Sequence, residues 1–465
     1  MNYDRRAVAA PTRELANWVA SLNCDDLPQR TREVVRIALI DTLGAGVHGH
    51  HTPWAKAVLE WARRGAPSKG EARVWGEAKP SLRAADAALA NGTAAHAFEL
   101  DDYHNAKLHP GAVVIPAAIA VAEKLNSRGS EIVTAIAAGY EVMIRTSLAM
   151  NPSATRLRGF HLTGVCGPFG AAAACASLMK LNAEQTAWAI GLGGTQGAGL
   201  WAFNADGAMS KRLHAGKAAH SGVLGAELAQ LGYSGPTQIY EFHDGGALKA
   251  FSDASDPAPL TQGLGSVYHL DQTSIKPYSC CGSVHSYIDA ALALRKKLGT
   301  PWNARLPVRV GTAKVVDVQC GFDYSPSTAL NAQMSLRYCV AAALTDGQVL
   351  PAQFADAKLA DPKITALARQ IELVPDSALD KLYPKDFPGW VAAEVNGKWE
   401  RVDVMNPTGS VHAPIDAAGV TEKFRGINPQ LDADAVAAVA LAIEEHTLRE
   451  LLGLLVRARS QRSAA

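Results

Sequence analysis

The 465-residue chain is 48% hydrophobic and 19% charged, which is enough apolar content for a large core in two or three compact units and excludes a disordered chain. Its 45 basic and 44 acidic residues leave a formal charge of +1 with no basic block, so neither nucleic acid nor a membrane is an expected partner and any attraction for anions must be local. The seven cysteines include no Cys-x-x-Cys, no run of about eighteen apolar residues suggests a membrane span, and Met1-Asn2-Tyr3-Asp4-Arg5-Arg6 does not open a secretory signal; a reducing cytoplasm is the expected location.

The first 250 or so residues are rich in Ala, Gly and Leu, and apolar positions such as Val34, Ile37, Ala38 and Leu43 recur at helical spacing. Residues 96–109 then concentrate polar chemistry: His96, His104 and His109 stand with Glu99, Asp101 and Asp102 in an otherwise apolar region. Pro110 disfavours helix at His109, and helical pattern resumes from Val113 to Leu125, which places His109 at a loop-to-helix junction where backbone N–H groups attract an anion. Arg158-Gly159-Phe160-His161 repeats the arrangement before a helix that contains Gly170–Ala176, a string of small side chains that lets backbones approach closely. A lone buried histidine is more often structural than catalytic, but two at matching junctions strengthen each other. The glycine-rich stretch 191–199 reads as a tight helix connection near the site.

Lys211, in Met209-Ser210-Lys211-Arg212-Leu213-His214, begins another predicted helix with the small-residue string Gly216–Gly222; Lys217 and His220 on it are weaker candidates. Lys276 precedes Pro277. A cation at such a boundary can hold a substrate carboxylate or steady an enolate-like dianion, although a solvated surface lysine is the competing reading of each. After about residue 270 the pattern changes. Strands are predicted over 308–310, 313–318, 391–395 and 399–404, with Asn396-Gly397 as a hairpin turn, and helices over 284–297 and 332–344. Helix returns from Asp432 to Arg457, and an Ala/Arg/Ser tail frays beyond Leu455.

The acid and histidine spacing matches no zinc signature, the adjacent Cys280 and Cys281 lack the spacing of an iron–sulfur site and read as packed thiols, and neither a P-loop nor a strand-linked Gly-x-Gly-x-x-Gly occurs. Neither a required metal nor nucleotide chemistry is expected.

From about residue 12 to 455 the chain resembles the MmgE/PrpD family. The resemblance is carried by Leu39–Gly44, Leu100-Asp101-Asp102 with His109-Pro110 and Val114–Ala118, Gly159-Phe160-His161, Ser210–Gly216, Lys276–Gly282 and Ala332–Cys339. It implies a mainly α fold: a large all-helical domain formed by residues 1–270 and 413–465, an inserted α+β lid domain over 271–412, a homodimer, and a site between helical domain and lid. Carried over by motif, His109, His161, Glu99, Asp101, Lys211 and Lys276 are the expected catalytic residues, with Asp102, Tyr103, His104, Arg212 and Cys281 binding substrate. Members of the family dehydrate, decarboxylate or epimerise small polycarboxylates, reactions that need cations on a carboxylate and a base near the neighbouring C–H. The histidines are assigned proton transfer, the lysines carboxylate binding, and Glu99 or Asp101 the orientation of a histidine or the role of acid. Glu99 stands where relatives have Asp, Tyr103 where they have Thr, and Cys281 where the decarboxylase has histidine. A cofactor-independent hydro-lyase acting on a 2-methylcitrate-like substrate is therefore the first expectation. A dicarboxylate epimerase (iminodisuccinate-like) follows, then a cis-aconitate-type decarboxylase, and a non-catalytic carboxylate-binding protein is the alternative of another class.

Overall fold

The structure, a computed structural model, describes residues 10–205, 207–299, 301–325, 328–382 and 385–456. The opening segment 1–6 and the tail from 457 onward lie outside them. The chain divides into two units, one formed by residues up to Ala97, Asp101–Thr273 and from Asp416 onward, the other by Phe98–Leu100 and Ser274–Ile415.

The first unit is helical, and its small residues explain its packing. Every side chain of the Leu162–Leu178 helix is buried. A Cβ added at Gly170 would meet the Gly139 carbonyl oxygen at 2.5 Å and Met143 at 2.6 Å, so only hydrogen at 170 lets the Leu162–Leu178 and Gly129–Ala149 helices lie this close. The Ser210–Gln230 helix crosses Ala84–Ala95 where Gly216 faces the Leu89 carbonyl and Gly92. The Gly129–Ala149 helix corrects the sequence reading. It is long and apolar enough to cross a membrane, yet 94% of its most apolar window is buried inside the fold. It is a core helix whose buried charges are satisfied internally: Arg145 bonds Glu141 at 2.8 Å and the carbonyls of Pro259, Gln262 and Val267.

The C-terminal segment joins the same unit through the Ala417–Ile427 helix. Lys423 pairs with Asp41 in the interior, Asn428 Nδ2 donates to the Gly44 carbonyl at 3.0 Å, and the Phe424 ring lies where a Gly44 side chain would go. The continuous helix predicted from Asp432 is three pieces: Ala433–Leu441, a short turn at Ile443–Glu445, and Leu448–Leu454. Thr447 interrupts it by capping Glu450 N through its side chain.

The second unit holds a four-stranded sheet in the order β2-β1-β3-β4, from β1 (Val308–Thr312), β2 (Glu372–Pro375), β3 (Gly389–Val395) and β4 (Lys398–Val404). β1 runs parallel to β2 and antiparallel to β3. The β3–β4 hairpin closes at the Val395–Lys398 pair over Asn396 and Gly397, with φ of 53° and 78°, the left-handed backbone that this dipeptide favours. His285–Leu298 forms a helix as expected, whereas the strand predicted over 313–318 is the helix Lys314–Cys320. Val316 and Cys320, four apart, are buried while Val318 is 80% exposed, so the apolar residues follow helical spacing, not alternation. The helix predicted over 332–344 breaks at Ser335, whose hydroxyl accepts from Tyr338 N to start Leu336–Asp346.

Candidate active site

In the first unit the Ala84–Ala95 helix and residues 101–110, which lead into the helix Gly111–Leu125, carry the first pair of histidines. His96, the residue that ends the first helix, has its Nδ1 2.6 Å from Asp101 Oδ2. His109 Nδ1 lies 3.2 Å from that same oxygen and 2.9 Å from the Asp102 carbonyl. A carbonyl oxygen can only accept, so His109 Nδ1 carries the proton and its Nε2 is left for proton exchange. The His109 backbone N–H donates to Thr163 Oγ1 at 3.2 Å, which ties this junction to the second one.

There His161 precedes the Leu162–Leu178 helix, its own N–H bonded to the Gly199 carbonyl at 2.9 Å. Its ring packs against Trp201 and Phe203, with centroids 5.7 and 5.5 Å away, and its Nδ1 faces His214 Nδ1 at 3.1 Å, so one imidazole donates and the other accepts. The His96 ring lies between the two junction histidines, 4.7 Å from His109 and 6.0 Å from His161 by centroid. The glycine-rich stretch 191–199 does adjoin the site: a Cβ at Gly199 would meet His214 Nδ1 at 3.2 Å. Lys211, at the start of the Ser210–Gln230 helix, places its charge near His96 and His161.

Burial decides the charge states. It pushes His96 down to about 4 and, reinforced by His96, Lys211, His109 and His214, carries His161 well below the usual imidazole range. Both are neutral near pH 7. Burial alone would raise Asp101, but His96 and then His109 more than offset it and hold the carboxylate ionised. Asp102, its neighbour in sequence, has the opposite fate. Burial and the nearby Asp41 push it up to about 8. Its Oδ1 accepts from Gly111 N at 2.8 Å and its Oδ2 from the Tyr140 hydroxyl at 2.8 Å. The helix start beside His109, expected to attract a substrate anion, thus serves the protein's own Asp102. A group whose folded pKa lies above its unfolded value of about 3.9 adds stability that is complete below that value and lost as pH rises to about 8. Asp102→Asn is accordingly expected to keep the fold and to gain in melting temperature relative to wild type between pH 5 and 8; parallel curves for the two proteins would contradict this.

Of the sequence candidates, His109, His161, Asp101 and Lys211 come together here. Glu99 and Lys276 pair with each other at 3.0 Å in the second unit, so the carboxylate found orienting histidines is Asp101. Glu99 sits at a φ of 56°, a conformation unusual for this residue type. His104, expected to touch substrate, is instead buried in its own loop, accepting from Ala106 N at 3.0 Å with His269 against it. Arg212, expected likewise, lays its guanidinium over the Trp54 ring, 5.3 Å from the centroid. Tyr103 is half-buried. Cys281 is half-buried beside Cys320, and hydrogen bonding to that thiol pushes it down to about 6; all seven cysteines are free. Of the weaker candidates, Lys217 bonds Ser221 Oγ at 2.9 Å and His220 lies 3.8 Å from Asp86. Sequence reasoning gave no role to His96 or His214. The second had a signal, since it lies three residues after Lys211 on one helix face.

Among the described residues, His96, Asp101 and His109 form the one histidine and carboxylate group compact enough for a metal ion, their ligand atoms lying within 4.8 Å of one another. The 2.6 Å between His96 Nδ1 and Asp101 Oδ2 is, however, hydrogen-bond spacing. Ligands about 2.0–2.1 Å from a tetrahedral ion stand roughly 3.3 Å apart. The three residues fit a hydrogen-bonded relay, and an ion would have to break it.

The chain matches known proteins along most of its length. Residues 13–260 match the MmgE/PrpD N-terminal domain and residues 278–447 the MmgE/PrpD C-terminal domain. A cis-aconitate decarboxylase from Aspergillus terreus is 29% identical over 91% of this chain and 90% of its own length. A cis-aconitate decarboxylase-like protein from Aspergillus oryzae is 31% identical over 89% of each. The cis-aconitate decarboxylase of Mus musculus is 28% identical over 80% of this chain and 78% of its own. With matches running through both of its units, the chain belongs to the MmgE/PrpD family.

Proposed function

We propose that the chain is a lyase for a small polycarboxylate of the cis-aconitate class, working by proton transfer at a carbon next to a carboxylate. The observation that carries this reading is the buried Asp101 carboxylate shared by His96 and His109, which fixes the His109 tautomer and leaves Nε2 as a directed proton carrier. In decarboxylation the C–C bond to the departing carbon dioxide breaks, its electron pair moves onto the carbon framework, and doubly protonated His109 quenches it with its Nε2 proton, returning to the neutral Nδ1–H form and taking its next proton from solvent. His161, kept neutral by burial, offers a second imidazole that is not itself an anion trap. Lys211 neutralises a substrate carboxylate. The decarboxylase relatives favour this outcome over the dehydration that the sequence puts first.

Dehydration is the second reading, since the family resemblance sets the Cys281 thiol where it implies a histidine for the decarboxylase. Incubating the purified chain with cis-aconitate and with a 2-methylcitrate-like hydroxy acid, followed by proton NMR, separates the two. Loss of carbon dioxide from the first supports decarboxylation, and a new alkene from the second supports dehydration. Lys211→Ala is expected to raise KM for the accepted acid roughly 10- to 100-fold with a smaller change in kcat, since it removes a charge-assisted contact of about 1.5–3 kcal/mol. An unchanged KM would remove Lys211 from the site.

A further inference from the structure

We infer that His96 is a positioning residue for His109, acting through the single carboxylate oxygen that both imidazoles share. The inference deepens the functional reading and rests on it for the role of His109. Asp101 is fully buried, and its Oδ2 lies 2.6 Å from His96 Nδ1 and 3.2 Å from His109 Nδ1. Two imidazolium ions on one oxygen would repel each other, so only one of the pair can be charged at a time. His96 is 1% exposed while the His109 side chain is 16% exposed, so the imidazolium that proton transfer requires is His109. His96 then does two things. Its Nδ1–H holds Asp101 in the orientation that meets His109, and it draws off part of the carboxylate's accepting power, which sets how strongly His109 keeps a proton. Its other nitrogen, Nε2, is buried and finds no hydrogen-bond partner among the described residues, so the Asp101 bond is the polar contact that fixes the ring. The remaining charged or titratable groups acting on His96 are His109 and Lys211, and His161 lies over its ring face.

The test uses variants that keep or remove the donor. Asn places an amide N–H near the position of Nδ1, whereas Leu and Gln at 96 do not. In the full chain with 15N-labelled histidine, His96→Leu is expected to raise the His109 titration midpoint by about half a unit or more, because Asp101 loses a competing donor. The matching limb of the kcat/KM pH profile should move with it, and His96→Asn should leave both near wild type. His96→Gln repeats the test if the Leu variant fails to fold. A His109 midpoint that does not move in the Leu or Gln variant overturns the inference and reduces His96 to packing, as does an equal shift in the Asn variant. A shifted midpoint in a protein that turns over no polycarboxylate upholds the coupling and overturns the functional reading instead.

Discussion

Asp101→Asn is expected to lower kcat by roughly 10^2- to 10^4-fold while changing KM little, the range associated with loss of a positioned acid–base group. Asp101 Oδ2 takes hydrogen bonds from His96 and His109 together, and the carboxylate is ionised because those imidazoles more than offset its burial. An amide at this position has no negative charge to steady the His109 imidazolium, and an N–H₂ group in the place of Oδ2 would confront both N–H donors. Stability should suffer less than turnover, since the change is close to isosteric. Steady-state kinetics beside a thermal melt check the point, and a kcat within about threefold of wild type would remove Asp101 from the mechanism.

The largest expected effect on stability lies elsewhere, at Lys423→Ala. Lys423 and Asp41 are 6% and 2% exposed, and their ion pair joins the C-terminal Ala417–Ile427 helix to the Gln29–Gly49 helix. Removing one member of a buried pair strands the other charge and costs about 3–5 kcal/mol, whereas replacing both by apolar groups of similar volume is often near neutral. Asp41→Leu combined with Lys423→Met should therefore recover much of the loss in a denaturant titration. Asp41 also helps hold Asp102 protonated, so the double variant should lower the Asp102 pKa as well. A single variant as stable as wild type would show that this pair does not tie the C-terminal segment in place.

What was legible in the sequence follows from how local each signal was. Helical spacing around Val34–Leu43, the small-residue strings, and the Asn396-Gly397 turn are short-range patterns, and each produced the element it implied. His109 and His161 stand out in the sequence because Pro110 and Gly159 mark the chain breaks beside them. The helix over Lys314–Cys320 was misread because its valines fit both periods, and only burial chooses between them. His96 went unassigned because it ends a helix without a marker, and its partner Asp101 lies beyond a turn. Asp101 and Asp102 are the plainest limit: two adjacent, identical residues reach opposite protonation states. One meets two imidazoles, and the other meets burial, Asp41 and Tyr140. Those partners come from tertiary structure, so no motif distinguishes them.

That this histidine and carboxylate cluster moves a proton at a carbon next to a carboxylate is tested most directly by incubation in deuterium oxide. With cis-aconitate and related polycarboxylates present, the wild-type chain is expected to place deuterium at the carbon adjacent to a carboxylate, in product or recovered substrate, and Asp101→Asn should do so far more slowly. No deuterium incorporation by the folded wild-type protein across that panel would contradict the account.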